Sequence, residues 1–88
     1  MYQILKKQTL NANTKLMVID APHVARKAEP GQFIILRVSE DGERIPLTIA
    51  DFDRETGAVT IIFQEVGATT MALGEMNEGD CLHDFVGP

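Results

Sequence analysis

Six short segments rich in β-branched and aromatic residues, each bounded by turn residues, make up most of the sequence. They are residues 3–10, 15–21, 32–39, 44–51, 58–65 and 81–86. Segments of this length and composition are typical of β-strands. Asn, Asp or Gly lies at most of the junctions and can adopt the positive φ of tight turns, so several junctions are predicted to be hairpins.

One short helix is predicted between the fifth and sixth strands. It runs from Thr69 or Thr70 to Met76, with a threonine hydroxyl available as the N-cap. Residues 22–25 could add one helical turn, which Pro30 and the glycine after it would soon end. Closure of a sheet removes exposed strand edges. The sequence therefore predicts an all-β fold, a six-stranded antiparallel Greek-key barrel with one short helix before the last strand.

Composition limits the function classes. A chain of 88 residues forms one domain, 1–88. Its net charge of -5 argues against nucleic acid as a partner, because binding phosphate backbones needs clustered Lys and Arg. No apolar run approaches the roughly 20 residues that cross a bilayer, and the first residues do not resemble a signal peptide, so we expect no membrane partner and a cytoplasmic location. With Cys81 as the single cysteine, we expect no metal or iron-sulfur site within the chain.

The first candidate site is a strand segment that combines a guanidinium, a proline and a hydroxyl. It comprises Arg44, Ile45, Pro46, Leu47 and Thr48. Because proline lacks a ladder donor, this strand should have a free edge or a ligand beside it. A flavin fits, since its pyrophosphate attracts arginine and its ring edge offers N5 and O4 to a hydroxyl and to backbone groups. The alternative is a hairpin arm with a solvated arginine and a threonine that merely favours strands.

The second candidate site lies where the fifth strand gives way to the helix. Gly67 lets the backbone approach a ligand closely, and the unpaired N–H groups at the start of a helix bind anions such as a diphosphate. Thr69 and Thr70 follow it. The alternative is an ordinary strand-turn-helix junction capped by a threonine. Each motif alone is weak, and their occurrence together in one barrel strengthens the flavin interpretation.

Nearly the whole chain resembles the N-terminal FAD-binding barrel domain of the ferredoxin-NADP reductase superfamily. The nearest branch is the one with the electron-transfer subunit of dihydroorotate dehydrogenase, the sulfide dehydrogenase subunit and the small subunit of NADH-dependent reduced ferredoxin:NADP oxidoreductase. Leu73 and five segments carry the resemblance: residues 30–33, 43–51, 63–70, 79–80 and 85–88.

The resemblance implies a role for each residue of the first candidate site. Thr48 is the expected partner of flavin N5, while Ile45, Pro46 and Leu47 would line the ring and the ribityl chain. Arg44 would lie near the phosphates, although it stands one position earlier than the usual arginine of the family.

The resemblance also assigns cofactor contacts to the next strand and the helix. Ile62, Phe63 and Gln64 would contact the cofactor, with Phe63 as its aromatic neighbour or, alternatively, as a core residue. Thr69 and Thr70 would hold the pyrophosphate at the start of the helix.

In the family, a nicotinamide-binding domain and a two-iron cluster segment follow this barrel. The chain contains neither, so we expect an FAD-binding fragment of an NAD(P)H-dependent electron-transfer oxidoreductase that has no catalytic residues of its own and does not turn over alone. NAD(P)H and a 2Fe-2S cluster would belong to the intact protein. The expected partner is a larger catalytic subunit, and an apolar face left open could also produce a homodimer. The alternative is a non-catalytic small β-barrel that binds a protein partner.

Overall fold

The computed structural model describes residues 2–87, and Met1 and Pro88, the ends of the predicted domain, lie outside the described residues. The chain forms seven strands and two helices within these bounds. The strands are β1 (Tyr2–Asn11), β2 (Thr14–Asp20), β3 (Phe33–Arg37), β4 (Ile45–Asp53), β5 (Ala58–Gln64), β6 (Cys81–Leu82) and β7 (Asp84–Val86), and the helices are α1 (Pro22–Lys27) and α2 (Ala68–Glu75).

The sheet is antiparallel throughout, in the order β6-β1-β2-β5-β4-β3-β7. Strands β3, β4 and β5 follow one another in space as in the chain, whereas β2 lies beside β5 and is joined to β3 through α1. Three consecutive strands, with a fourth that is joined to one side of them by a long connection and lies on the other side, form a Greek key. The predicted all-β, antiparallel architecture is therefore confirmed.

The predicted count of six strands is wrong, because the segment 81–86 forms two strands. Its first half pairs with β1, where Leu82 lies opposite Tyr2, and its second half pairs with β3, where Phe85 lies opposite Leu36. The His83 N–H between them already donates to the Arg37 carbonyl, at 3.0 Å. One segment thus serves both ends of the sheet and bends between them, which nearly closes the barrel.

The helices agree with the sequence signals near Pro22 and after Gly67. The helical turn considered at residues 22–25 is the six-residue helix α1, with proline in its first turn. Helix α2 begins at Ala68, one or two residues before the predicted start at Thr69 or Thr70, and ends at Glu75, one residue before the predicted end. No helix within residues 2–87 is long and apolar enough to span a bilayer.

Alternate side chains of the strands fill the barrel. Every fully buried side chain within residues 2–87 is apolar, and burying each large one contributes about 1.5–3 kcal/mol. The largest are Ile4, Met17, Ile19, Ile34, Leu36, Val59, Ile61, Leu73, Leu82 and Phe85. The core therefore lies inside the sheet, with α2 anchored on it by Leu73.

Candidate functional site

The ladder between β4 and β5 is interrupted halfway along the two strands. It runs from the pair Asp53 and Ala58 to the pair Ile49 and Ile61 and does not continue. Beyond that point residues 45–48 pair only with β3, and residues 62–64 pair only with β2. We call the gap between residues 45–48 and 62–64 the open seam.

A β-bulge lies at the inner end of the open seam. The register of β4 against β5 shifts by one residue between Ile49 and Asp51. An extra residue on one strand of an antiparallel pair bends that strand and increases its twist. The bulge therefore turns the first half of β4 away from β5.

The backbone of β4 presents polar groups to the open seam. The Ile49 N–H points to the β3 side, since it donates to the Gln32 carbonyl at 2.8 Å. Because backbone groups alternate sides along a strand, those of Pro46 and Thr48 point to the seam. The missing N–H of Pro46 therefore lies where no ladder bond is made, which is the free edge that the proline predicted.

The backbone of β5 mirrors this arrangement. The Glu65 N–H donates to the Asn13 carbonyl at 2.8 Å, on the β2 side. The same alternation turns the backbone groups of Ile62 and Gln64 toward the open seam. The two strands therefore face each other across the seam with peptide groups that a planar ligand with polar edges can bind.

The predicted site residues divide between the two faces of the barrel. Pro46, Thr48, Ile62 and Gln64 are exposed on the outer surface. Ile45 and Leu47 are half-buried and pack against the core. Phe63 is only 3% exposed and belongs to the core, as its alternative interpretation expected.

The exposed aromatic beside the site is Phe33, which the sequence reasoning missed. Its side chain is 48% exposed, and it lies opposite Thr48 in the β3–β4 ladder. Phe33, Ile35, Pro46, Leu47 and Thr48 line an open groove of about 500 Å³. Residues 33–36 are all apolar, so the sequence carries no alternation signal there, and it is the burial of Ile34 and Leu36 that places Phe33 on the other face.

The start of α2 lies at the outer end of the open seam. The Thr70 hydroxyl accepts hydrogen bonds from the Val66 and Gly67 N–H groups, both at 3.0 Å, and donates to the Gly67 carbonyl at 3.1 Å. The predicted threonine N-cap is therefore wrong: the N-cap is Gly67, and Thr70, the third residue of the helix, reaches back to the N–H groups before it. A methyl group added at Gly67 would meet no atom within 4 Å, so open space lies in front of the helix start.

Arg44 lies at the same end of the barrel as α2. Since β4 and β5 are antiparallel, the start of β4 lies beside the end of β5, from which α2 follows. The Arg44 side chain is 63% exposed, with its Nη2 at 3.3 Å from Asp84 Oδ2. Arg37 holds that same oxygen with Nε and Nη2, each at 2.9 Å. Arg44 is therefore loosely held, and its guanidinium can turn toward an anion.

No protein-family model matches the chain. Over 88 residues it is 58% identical to a Clostridium beijerinckii protein described only as uncharacterized and encoded in the 3′ region of adh, of which it spans 30%. It is 42% identical over 86 residues, 98% of the chain, to the dihydroorotate dehydrogenase B (NAD(+)) electron transfer subunit homolog of Thermotoga maritima, of which it spans 30%.

The barrel also superimposes on a solved structure. A chain of the NADH-dependent reduced ferredoxin-NADP oxidoreductase, studied for flavin-based electron bifurcation, matches with a TM-score of 0.97 and 41% identity. The match covers 100% of this chain and 32% of that one. The chain thus spans about a third of the proteins it resembles.

Proposed function

We propose that this chain is a barrel domain of the ferredoxin-NADP reductase superfamily and that it binds FAD for an NAD(P)H-dependent electron-transfer oxidoreductase. The observation that carries the proposal is the open seam, where two strands of one sheet separate and α2 begins beside them. A sheet whose only task was to enclose a core would gain from continuing that ladder.

The seam suits the flavin ring. Its walls offer exposed apolar surface from Pro46 and Ile62, and backbone N–H and C=O groups run along both edges. The Thr48 hydroxyl lies on the outer face beside Phe33. We assign Thr48 to the N5 side of the ring, with Gln64 further along the seam. Ile45, Leu47 and Phe63 support these residues from the core side.

The start of α2 suits the diphosphate. The N–H groups of the first helical turn are not used within the helix, where the first bond joins the Met71 N–H to the Gly67 carbonyl. Such N–H groups together with the helix dipole favour a phosphate. Gly67 leaves the approach open, and Thr69 follows in the first turn. We assign Arg44, at the same end of the barrel, as the charged partner of the phosphates.

The role of the chain in electron transfer is to hold and orient the cofactor. A flavin bound there would supply the hydride acceptance and the one-electron release that such an oxidoreductase needs. We assign the binding of NAD(P)H and a 2Fe-2S cluster to the remaining two thirds of the longer proteins, since the chain spans about a third of its relatives. The barrel alone is then expected to bind FAD without oxidising NAD(P)H. A larger catalytic subunit is the partner we propose for the intact protein.

A second role, as a protein-binding barrel, is favoured by one feature of the outer surface. Val86, Ile35 and Pro46 lie opposite one another across β7, β3 and β4 and form an apolar row next to Phe33. Such a row fits a protein partner or a second copy of the chain. Sedimentation velocity over a range of concentrations distinguishes a monomer from a homodimer, and FAD binding distinguishes this role from the first.

The decisive test is a titration of the chain with FAD, followed by flavin absorbance and fluorescence. We expect saturable binding that Thr48→Val weakens by roughly two- to tenfold, because one hydrogen bond is lost. Thr56→Val is the matched control, since Thr56 lies exposed in the turn between β4 and β5. No binding by the folded wild type, or equal losses in both variants, contradicts the proposal.

A further inference from the structure

An ion pair ties the segment that leads into α2 to the neighbouring strand. The Glu65 carboxylate, directly after β5, accepts a hydrogen bond from Lys15 Nζ of β2 at 2.7 Å. Both side chains are largely buried, 18% exposed for Glu65 and 14% for Lys15. Restricted access to water strengthens such a pair compared with one on the open surface.

The same carboxylate packs against the middle of α2. Gly74 is buried in the helix, and a methyl group added there would overlap the Glu65 carboxylate. Glycine in a helix interior is less favourable than alanine, so its presence fits a position where another group approaches the backbone closely. Glu65 therefore contacts β2 through Lys15 and α2 through Gly74.

The contacts of Glu65 fix the orientation of α2, which packing on the core alone would leave free. Leu73 and Gly74 are the only buried residues of α2. Leu73 is its one fully buried large side chain, and Met76, directly after the helix, packs on the core only in part, so the helix can still rotate about Leu73. The Glu65 carboxylate on Gly74 adds a second, polar contact point, and Lys15 holds that carboxylate in place.

We propose that Glu65 is a positioning residue for the diphosphate of the cofactor. Held by Lys15 and packed on Gly74, it sets the angle of α2 so that the first-turn N–H groups face the open seam. This inference rests on the proposed FAD binding. It predicts an effect confined to the phosphate-bearing part of the ligand, because Glu65 lies toward β2 and away from the seam.

The test compares FAD with riboflavin, which carries the same ring and no phosphate. Glu65→Gln keeps the shape of the side chain and weakens the ion pair, while Gly74→Ala forces the carboxylate or the helix to move. We expect each variant to lose at least about tenfold in FAD affinity, the factor for one lost hydrogen bond to a charged group. Riboflavin affinity should stay within about twofold, a difference far smaller than that bond.

Two controls separate positioning from a general weakening of α2. Ala72→Gly lowers helix propensity at an exposed position of the same helix and should affect FAD much less than Gly74→Ala. In the Glu65→Ala background, Gly74→Ala has room for its methyl group and should cause no further loss. The amide resonances of Ala68 and Thr69 should shift in Glu65→Gln without any ligand.

Different outcomes would overturn the positioning role of Glu65 and the proposed FAD binding. A selective loss of FAD affinity with unmoved riboflavin affinity supports the positioning role. An equal loss of both ligands, unchanged FAD affinity, or unmoved amide resonances of Ala68 and Thr69 would overturn it while leaving FAD binding intact. A folded wild type that binds neither flavin overturns the proposed function, and the positioning role with it.

Discussion

The two long edges of β5 differ, although they belong to one seven-residue strand. The edge toward β2 is paired along its whole length, from Ala58 to Gln64. The edge toward β4 is paired only up to Ile61. A backbone edge without a strand partner has to find another partner or water. The fold is thus built on one edge of β5, and the proposed ligand site lies on the other.

The two faces of β5 show the same division. Val59, Ile61 and Phe63 point into the core, while Ile62 is 43% exposed next to the seam. Alternation at every second residue allows one strand to serve stability with one face and recognition with the other. Neighbouring residues should therefore respond very differently to the same substitution.

The largest difference is expected between Ile61→Ala and Ile62→Ala. Ile61 is fully buried, so its truncation should lower the free energy of unfolding by about 2–5 kcal/mol, while Ile62→Ala should change it by less than about 0.5 kcal/mol. Urea unfolding followed by circular dichroism measures both. If Ile61→Ala does not fold, Ile61→Val should still show a loss of about 0.5–1.5 kcal/mol. Equal losses at both positions would contradict the division.

Arg37 and Arg44 both contact the Asp84 carboxylate, but they differ in how firmly they are held. Arg37 is 19% exposed, and besides Asp84 it donates through Nη1 to the Glu40 carbonyl. We expect Arg37→Gln to destabilise the domain by about 1–2 kcal/mol, since hydrogen bonds to a charged group are lost. Arg44→Gln should cost less than about 0.5 kcal/mol.

FAD titration of the same two variants tests which arginine contacts the phosphates. Arg44→Gln should weaken FAD binding, and the affinity should lose part of its salt dependence, because a phosphate partner is removed. Arg37→Gln should leave both the affinity and its salt dependence nearly unchanged. The reverse pattern would assign the phosphates to Arg37.

A third prediction concerns the cap of α2 at the outer end of the seam. Thr70→Ala removes the oxygen that accepts from two backbone N–H groups, and we expect a loss of about 1 kcal/mol in unfolding free energy. Thr70→Ser keeps the hydroxyl and should retain most of the stability. Thermal unfolding measures both variants, and a loss in Thr70→Ser equal to that in Thr70→Ala would point to the methyl group instead.

Most of the fold could be predicted from the sequence because the signals for strands, turns and helices are local. Residue types and turn glycines placed five of the strands, and the polar residues before Met71 placed α2 within two residues, although its N-cap is Gly67 and not a threonine. The division of 81–86 into β6 and β7 could not be predicted, because the bend at His83 depends on which strands lie on each side. No local pattern encodes that choice of neighbours.

The candidate site could likewise be predicted only where its signals are local. Pro46 indicated a free edge, since proline makes no ladder donor. The inward direction of Phe63 and the outward direction of Phe33 follow from alternation only once the register of each strand is known. The contact between Glu65 and Gly74 had no sequence signal, because it joins residues on a strand end and a helix whose relative placement is tertiary.

A substitution with a small expected effect on stability tests the free edge itself. Pro46→Ala adds an N–H that points into the open seam, so it neither breaks nor completes a ladder bond. Only the greater freedom of the unfolded chain should lower stability, by less than about 1 kcal/mol. In Leu47→Pro, by contrast, the missing N–H lies on the β3 side, where the ladder is formed, and the loss should be far larger. Urea unfolding compares the two variants, and a gain of stability in Pro46→Ala would contradict the free edge, because it would mean that the added N–H makes a ladder bond.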